Sequence, residues 1–190
     1  MRWPLLAVVT LAVTSCSSTD APAVFIELDY QVRCLICEPR APDDAKREIM
    51  TLDDDQGYQV DCHVSTVGKD RVLSFSAVYD APDSVMDHSI ELLQAAYEGD
   101  DPGSKCLVRV REKSNRYIGK CTGGDPTPDA PCQVEVHVSD GIVKGTLFCD
   151  EFANEAIKSS KRHLVISDAS DPDAPDLVPA TFEIHGCRGL

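Results

Sequence analysis

Apolar and polar residues alternate along most of the chain, in short runs separated by Asp, Gly and Pro. From Val24 onward these runs recur, and no long apolar stripe has helical spacing. Alternation with a period of two places every second side chain on the same face of a strand. The pattern therefore predicts an all-β fold, an antiparallel β-sandwich or barrel, formed as one domain by residues 23–190.

The clearest hairpin spans residues 132–149 and turns at Asp140-Gly141. Asp-Gly between two alternating runs is the strongest short signal for a two-residue hairpin turn. Counting outward from this turn places Cys132 opposite Cys149 in a non-hydrogen-bonded pair, where Cα atoms are about 4.5 Å apart. Disulfides span about 4.4 to 6.8 Å between Cα atoms, so the register predicts a disulfide between these two residues.

A second hairpin follows the same scheme, with a looser turn at residues 112–115. If Arg111 faces Arg116, Cys106 faces Cys121, and a second disulfide is expected. A four-residue turn fixes the register less tightly than Asp-Gly does.

Four further cysteines have no hairpin to set their register. We expect Cys62 to pair with Cys34 or Cys37, and the remaining one to pair with Cys187. Such a pairing would join the first strand to the last, and the sequence leaves the choice between the two options open.

The amino-terminal segment has the parts of an export signal: Arg2, an apolar run over residues 5–13, and small residues before Cys16. Nine apolar residues are too few to span a bilayer, which takes about 20. The run Val13-Thr14-Ser15-Cys16 resembles the lipobox of bacterial lipoproteins.

This resemblance implies that residues 1–15 are a removed signal peptide and that Cys16 carries acyl chains such as palmitate. Residues 16–22 are then a lipidated tether before the folded domain. Ser17 follows the lipidated cysteine, and in Gram-negative lipoproteins a residue other than Asp there implies the outer membrane. The protein is thus expected in the cell envelope, facing the periplasm or the exterior.

Residues 84–97 are ambiguous between helix and strand. Their helical spacing involves Met86, Ile90, Leu93 and Tyr97. However, a set of short motifs resembles uncharacterised all-β bacterial lipoproteins over residues 57–149, in which a strand ends at Tyr-x-Gly. The motifs are Tyr97-Glu-Gly99, Pro102-Gly103, Cys106-x-Val-x-Val and Gly145-Thr-x-x-Cys149. This resemblance favours a strand and implies no catalytic residues.

Composition narrows the compartment and the partners. The chain has nine cysteines, and eight remain once Cys16 is assigned to lipid, an even set that indicates disulfides in an exported protein. The net charge of −14 disfavours binding to phosphate backbones. Nucleic acid is therefore not expected as a partner.

Cys34-Leu-Ile-Cys37 is the motif closest to a redox site. A thioredoxin-type cysteine lies at a helix amino terminus, which lowers its pKa. Here Pro39 follows two residues after Cys37, and no βαβ pattern surrounds the motif. Structural disulfides are the favoured interpretation, and an envelope thiol–disulfide redox protein that uses Cys34 and Cys37 is the alternative.

Other candidate chemistry is weak. Acidic loops at 53–55, 100–101 and 168–176 suit calcium by ligand type, but they lack the spacing of an EF-hand and indicate solvated loops. No pair of histidines has metalloprotease spacing, and no Gly-x-Ser-x-Gly motif is present. The five histidines are His63, His88, His137, His163 and His185. No cofactor, metal or catalytic residue is therefore expected.

These features together predict a lipid-anchored protein of the cell envelope that acts as a binding, assembly or structural module. Its expected partners are the membrane, through the lipid anchor, and another envelope protein.

Overall fold

The computed structural model describes residues 23–33, 46–52, 55–80, 87–100, 102–157, 161–165 and 178–190. These residues contain no helix that is long and apolar enough to cross a membrane. The described part of the chain forms eleven β-strands: β1 (Phe25–Arg33), β2 (Lys46–Leu52), β3 (Tyr58–Val67), β4 (Asp70–Tyr79), β5 (His88–Glu98), β6 (Leu107–Glu112), β7 (Asn115–Thr122), β8 (Cys132–Ser139), β9 (Ile142–Asn154), β10 (Lys161–Val165) and β11 (Ala180–His185). The predicted all-β fold is confirmed.

All eleven strands belong to one sheet with two wings. The first wing is a meander of the five strands β3 to β7, in which consecutive strands pair antiparallel. In the second wing, β10 and β11 lie end to end between β1 and β9, while β2 pairs with β1 and β8 with β9.

The sheet is mixed rather than purely antiparallel. The end of β7 pairs in parallel with the start of β8, through Cys121 opposite Cys132 and Thr122 opposite Gln133. The reason is the connection over residues 123–131, which loops back beside the end of β7 instead of turning tightly into a hairpin. This short parallel pair, together with the contact between β7 and β9, joins the two wings.

The two wings pack on one hydrophobic core. Phe75 on β4 contacts Phe182 on β11, with ring centroids 5.0 Å apart. Gly145 on β9 lies against the same ring, and a Cβ there would overlap Phe182. The buried side chains from Val24 to Cys187 form a single cluster, so the described strands share one core.

The hairpin of β8 and β9 has the predicted register. Asp140 and Gly141 have φ values of 53° and 76°, as a type I′ turn requires. Cys132 lies opposite Cys149 with a Cα–Cα distance of 4.0 Å, and the two form a disulfide.

The hairpin of β6 and β7 also has the predicted register. Cys106 and Cys121 form a disulfide with a Cα–Cα distance of 4.9 Å. The turn is tighter than expected, because Glu112 already pairs with Asn115 and only two residues remain between the strands.

The pairing expected for Cys62 is wrong, because Cys62 is bonded to Cys187. The last residues of the chain lie beside β3, where the Arg188 N–H donates to the Cys62 carbonyl at 3.1 Å and the Val64 N–H donates to the Arg188 carbonyl at 2.7 Å. The disulfide therefore joins the carboxyl terminus to β3. Cys34 and Cys37 lie outside the described residues.

Residues 88–97 form a strand, as the sequence motifs indicated, while 84–86 lie outside the described residues. The strand has a bulge at Gln94, whose φ is 58° and where the register with β4 shifts. The Gln94 N–H donates to the Ser74 hydroxyl at 2.9 Å. The extra residue lets Ile90 and Tyr97 both be buried, although seven positions separate them.

We predict that the Cys62–Cys187 disulfide stabilises the fold more than the Cys106–Cys121 disulfide does. In the chain-entropy model, replacing Cys62 and Cys187 by Ala lowers the free energy of unfolding by about 5 kcal/mol, and replacing Cys106 and Cys121 by about 3 kcal/mol. The difference arises because the sequence separations are 125 and 15 residues. Urea unfolding without reductant measures both, and an equal loss in the two double variants would contradict the prediction.

Candidate functional site

A groove of about 410 Å³ lies between the outer face of β6 and β7 and the loop over residues 123–131. We call it the proline-loop groove. Its floor is apolar and its wall is rich in proline; the lining apolar residues are Leu107, Ile118, Ala153, Pro126, Pro128 and Pro131.

The floor of the groove follows from alternation along β7. Tyr117 and Gly119 point into the core, which leaves Ile118 and Lys120 on the outer face. Gly119 has a specific role, because a Cβ there would overlap the sulfur of Cys132. The glycine allows the Cys132–Cys149 disulfide to lie directly under this part of β7.

The wall of the groove is held at both ends. The loop runs between Cys121 and Cys132, which lie side by side in the parallel pair. Cys121 is bonded to Cys106, just before β6, and Cys132 is bonded to Cys149 on β9. Within the loop, Thr127 and Ala130 exchange two backbone hydrogen bonds of 3.0 and 3.1 Å. Proline restricts φ to about −65°, so little ordering remains for a ligand to impose on this wall.

Charged residues surround the groove. Lys161 forms a 2.7 Å ion pair with Glu151, and this hydrogen bond lowers the pKa of the Glu151 carboxyl. Asp150 lies 3.0 Å from the Nδ1 atom of His163. Within the described part of the chain, Lys120 and Asp129 form no ion pair, so their charges face solvent at the rim.

A second cavity of about 480 Å³ opens on the same wing. Three arginines line it. Arg109 is 3.5 Å from Glu91 and Arg111 is 2.8 Å from Asp87. Arg116 faces Arg111 across the hairpin and makes no ion pair with any described residue.

A buried polar cluster joins the wings at Glu112, which is only 2% exposed. Its carboxylate accepts hydrogen bonds from Arg47 at 2.7 and 3.4 Å and from the Tyr30 hydroxyl at 3.3 Å. Burial, with the nearby Glu112 carboxylate, raises the pKa of Tyr30 well above its usual value. Every group of this cluster is engaged with another, as expected for a structural network.

A tyrosine–histidine pair extends this cluster. The Tyr58 hydroxyl lies 2.7 Å from the Nε2 atom of His88, and the ring of Tyr79 stacks on the same imidazole at 4.9 Å. Burial raises the pKa of Tyr58, so its proton stays on the phenol. A phenol with a raised pKa is a poor nucleophile, and the pair packs the end of the sheet.

The structure places only some of the residues considered from the sequence. Cys16, and the acidic stretch 168–176, lie outside the described residues, as do Asp53, Asp54 and Asp101. Among the described residues, no three His, Cys, Asp or Glu side chains are grouped as a metal site. The histidines lie on five different strands: His63 on β3, His88 on β5, His137 on β8, His163 on β10 and His185 on β11.

The groove itself was missed by sequence reasoning. Its one signal is compositional, because three prolines fall within residues 126–131 between two disulfide-bonded cysteines. The Arg47–Glu112 pair gave no signal at all, since 65 residues separate its members.

Comparison with known proteins gives no further guidance. No protein-family model, curated protein or solved structure matches this chain.

We predict that Glu112→Gln lowers the free energy of unfolding by about 3 kcal/mol, because Arg47 then remains partly buried without a counterion. The double variant Arg47→Met with Glu112→Gln should be more stable than Glu112→Gln alone. Urea unfolding of wild type, Glu112→Gln, Arg47→Met and the double variant tests this. Strictly additive losses would contradict the assignment of a buried ion pair.

We predict that His163 makes the fold sensitive to acid. Burial lowers the pKa of His163, outweighing the opposite effect of Asp150 and Glu151, while Arg33 also lowers it. The unfolded state therefore takes up a proton first, and stability is lost as pH falls below about 6.5.

The change that tests this is His163→Asn. It should reduce the loss in unfolding free energy between pH 7 and pH 5, measured by urea titration at each pH. His137→Asn, at an exposed position on β8, is the matched control and should leave that loss unchanged. The same pH dependence in wild type and His163→Asn would refute the prediction.

Proposed function

We propose that this protein is lipid-anchored in the cell envelope and binds a protein partner in the proline-loop groove, without catalysing a reaction. The single observation that carries the binding role is the groove, which has an apolar floor, a wall fixed at both ends and charges at its rim. Ligand sites are typically concave, mostly apolar and formed before the ligand arrives.

Export is supported by the cysteines. The described residues contain three disulfides, Cys62–Cys187, Cys106–Cys121 and Cys132–Cys149. Such bonds persist in oxidising compartments, which include the periplasm and the cell surface. The lipobox resemblance at Cys16 adds an acyl anchor, and Ser17 favours the outer membrane.

A binding role fits the chemistry better than catalysis does. The titratable groups that lie close together, such as Glu112 and Arg47, already bond to each other. The groove, in contrast, presents Ile118 and three prolines on an open surface. A partner that covers them gains the free energy of apolar burial.

The experiment that tests the proposal is photo-crosslinking in cells that make the full-length protein. A photoreactive residue at Pro128, in the groove wall, should cross-link a distinct partner band. The same residue at Lys69, an exposed position in the β3–β4 turn, is the matched control and should give none.

Two further variants sharpen the result. Ile118→Arg should abolish the Pro128 cross-link, because it places a charge on the apolar floor. Cys16→Ser should move the protein from the membrane fraction to the soluble fraction. No groove-dependent band would refute the binding role, and membrane retention of Cys16→Ser would refute the lipid anchor.

A further inference from the structure

The hairpin of β6 and β7 is basic although the chain is acidic. Residues 105–120 contain six Lys or Arg and a single acidic residue, Glu112, whereas the whole chain has a net charge of −14. Because Glu112 is buried against Arg47, it does not offset the charge of the outer face.

Half of these cations are neutralised by neighbouring strands. Lys105 pairs with Asp70 at 3.2 Å, and Arg109 and Arg111 have the acidic partners described above. The other three form no ion pair with any described residue and are exposed: Lys113, Arg116 and Lys120. The open positive charge therefore lies on β7 and the turn before it.

The arrangement along β7 is specific. Arg116, Ile118 and Lys120 occupy alternate positions of one strand, so their side chains point to the same outer face. Alternate residues of a strand are about 6.8 Å apart. The outer face of β7 thus presents a cation, an apolar side chain and a second cation, each about 6.8 Å from the next. Ile118 and Lys120 line the proline-loop groove, and Arg116, two residues before Ile118, lines the second cavity.

An extended peptide has the same two-residue repeat. We infer that the partner segment bound in the proline-loop groove is an extended acidic peptide in which one apolar residue is flanked, at alternate positions, by two carboxylates. The apolar residue covers Ile118, and the carboxylates meet Arg116 and Lys120. Arginine pairs well with a carboxylate because its planar guanidinium donates two parallel hydrogen bonds.

This inference rests on the proposed function, since it names the partner of the same groove. A polyphosphate or nucleic acid fits the site less well. Its charge would be continuous along the strand, whereas β7 has the apolar Ile118 between its two cations. At physiological salt, charges more than about 8 Å apart are largely screened, so the acidic residues elsewhere in the chain act only weakly on a short peptide at β7.

The test uses full-length lipidated protein in a nonionic detergent and fluorescent seven-residue peptides. The first peptide is Thr-Asp-Thr-Leu-Thr-Glu-Thr. The second, Thr-Thr-Asp-Glu-Leu-Thr-Thr, has the same composition with adjacent carboxylates, and the third replaces both acids of the first by Lys. Fluorescence anisotropy measures the dissociation constant of each, and unlabelled polyphosphate of equal charge is added as a competitor.

The first peptide should bind at least about tenfold more tightly than the other two, because charge and register must both match. Arg116→Glu and Lys120→Glu should each weaken its binding about tenfold. Lys69→Glu makes the same change in net charge away from the groove and should have no effect. Thermal melting of each variant checks folding, and Arg116→Gln and Lys120→Gln replace any variant that is unfolded.

Equal binding of the three peptides, no binding of the first, insensitivity to both charge reversals, or equally strong competition by polyphosphate would each overturn the inference. The Pro128 cross-link separates this failure from failure of the proposed function. If the cross-link persists and depends on Ile118 while the acidic peptide does not bind, the groove binds a partner of another chemistry. If both fail, both proposals are wrong.

Discussion

The pairing of β9 with four other strands is the constraint on which the rest of the structure depends. One edge of β9 pairs with β8 and then β7, and the other with β11 and then β10. Thirteen residues thus connect the meander to the second wing. The Cys132–Cys149 disulfide fixes the register of this strand, and a one-residue slip would turn every buried side chain of β9 toward solvent.

The proline-loop groove is a consequence of the same bond. The disulfide lies under Gly119, so the floor of the groove rests on the bond that fixes β9. The Asp150 N–H, just after Cys149, donates to the Pro131 carbonyl at 2.7 Å and ties the wall to the same strand. Because floor and wall share one support, the shape of the groove is set when the fold forms, which lowers the ordering cost of binding.

Sequence reasoning succeeded where a turn lies close to the residues concerned. The register of Cys132 and Cys149 can be counted from Asp140-Gly141, so hairpin geometry decides it. Cys62 and Cys187 are 125 residues apart, and no local rule brings them together. The bulge at Gln94 and the groove were missed for a related reason, since both depend on how separate segments meet.

The buried polar network at Glu112 differs from the exposed outer face of β7, and the difference bears on function. Tyr30, Arg47, Tyr58, His88 and Glu112 have the residue types of an active site, yet in this fold their polar atoms are engaged with one another, and the network joins β1 and β2 to the meander. A group that reacts with a substrate must have an open position and a pKa near the working pH. Burial raises the pKa of Tyr30 and of Tyr58, which moves both further above neutral pH. The open positions lie instead on β7 and in the groove, where the cations of β7 form no ion pair with any residue that the structure describes and apolar side chains line an open surface. Such groups can recognise a ligand by charge and by apolar burial, which supports the proposed binding role.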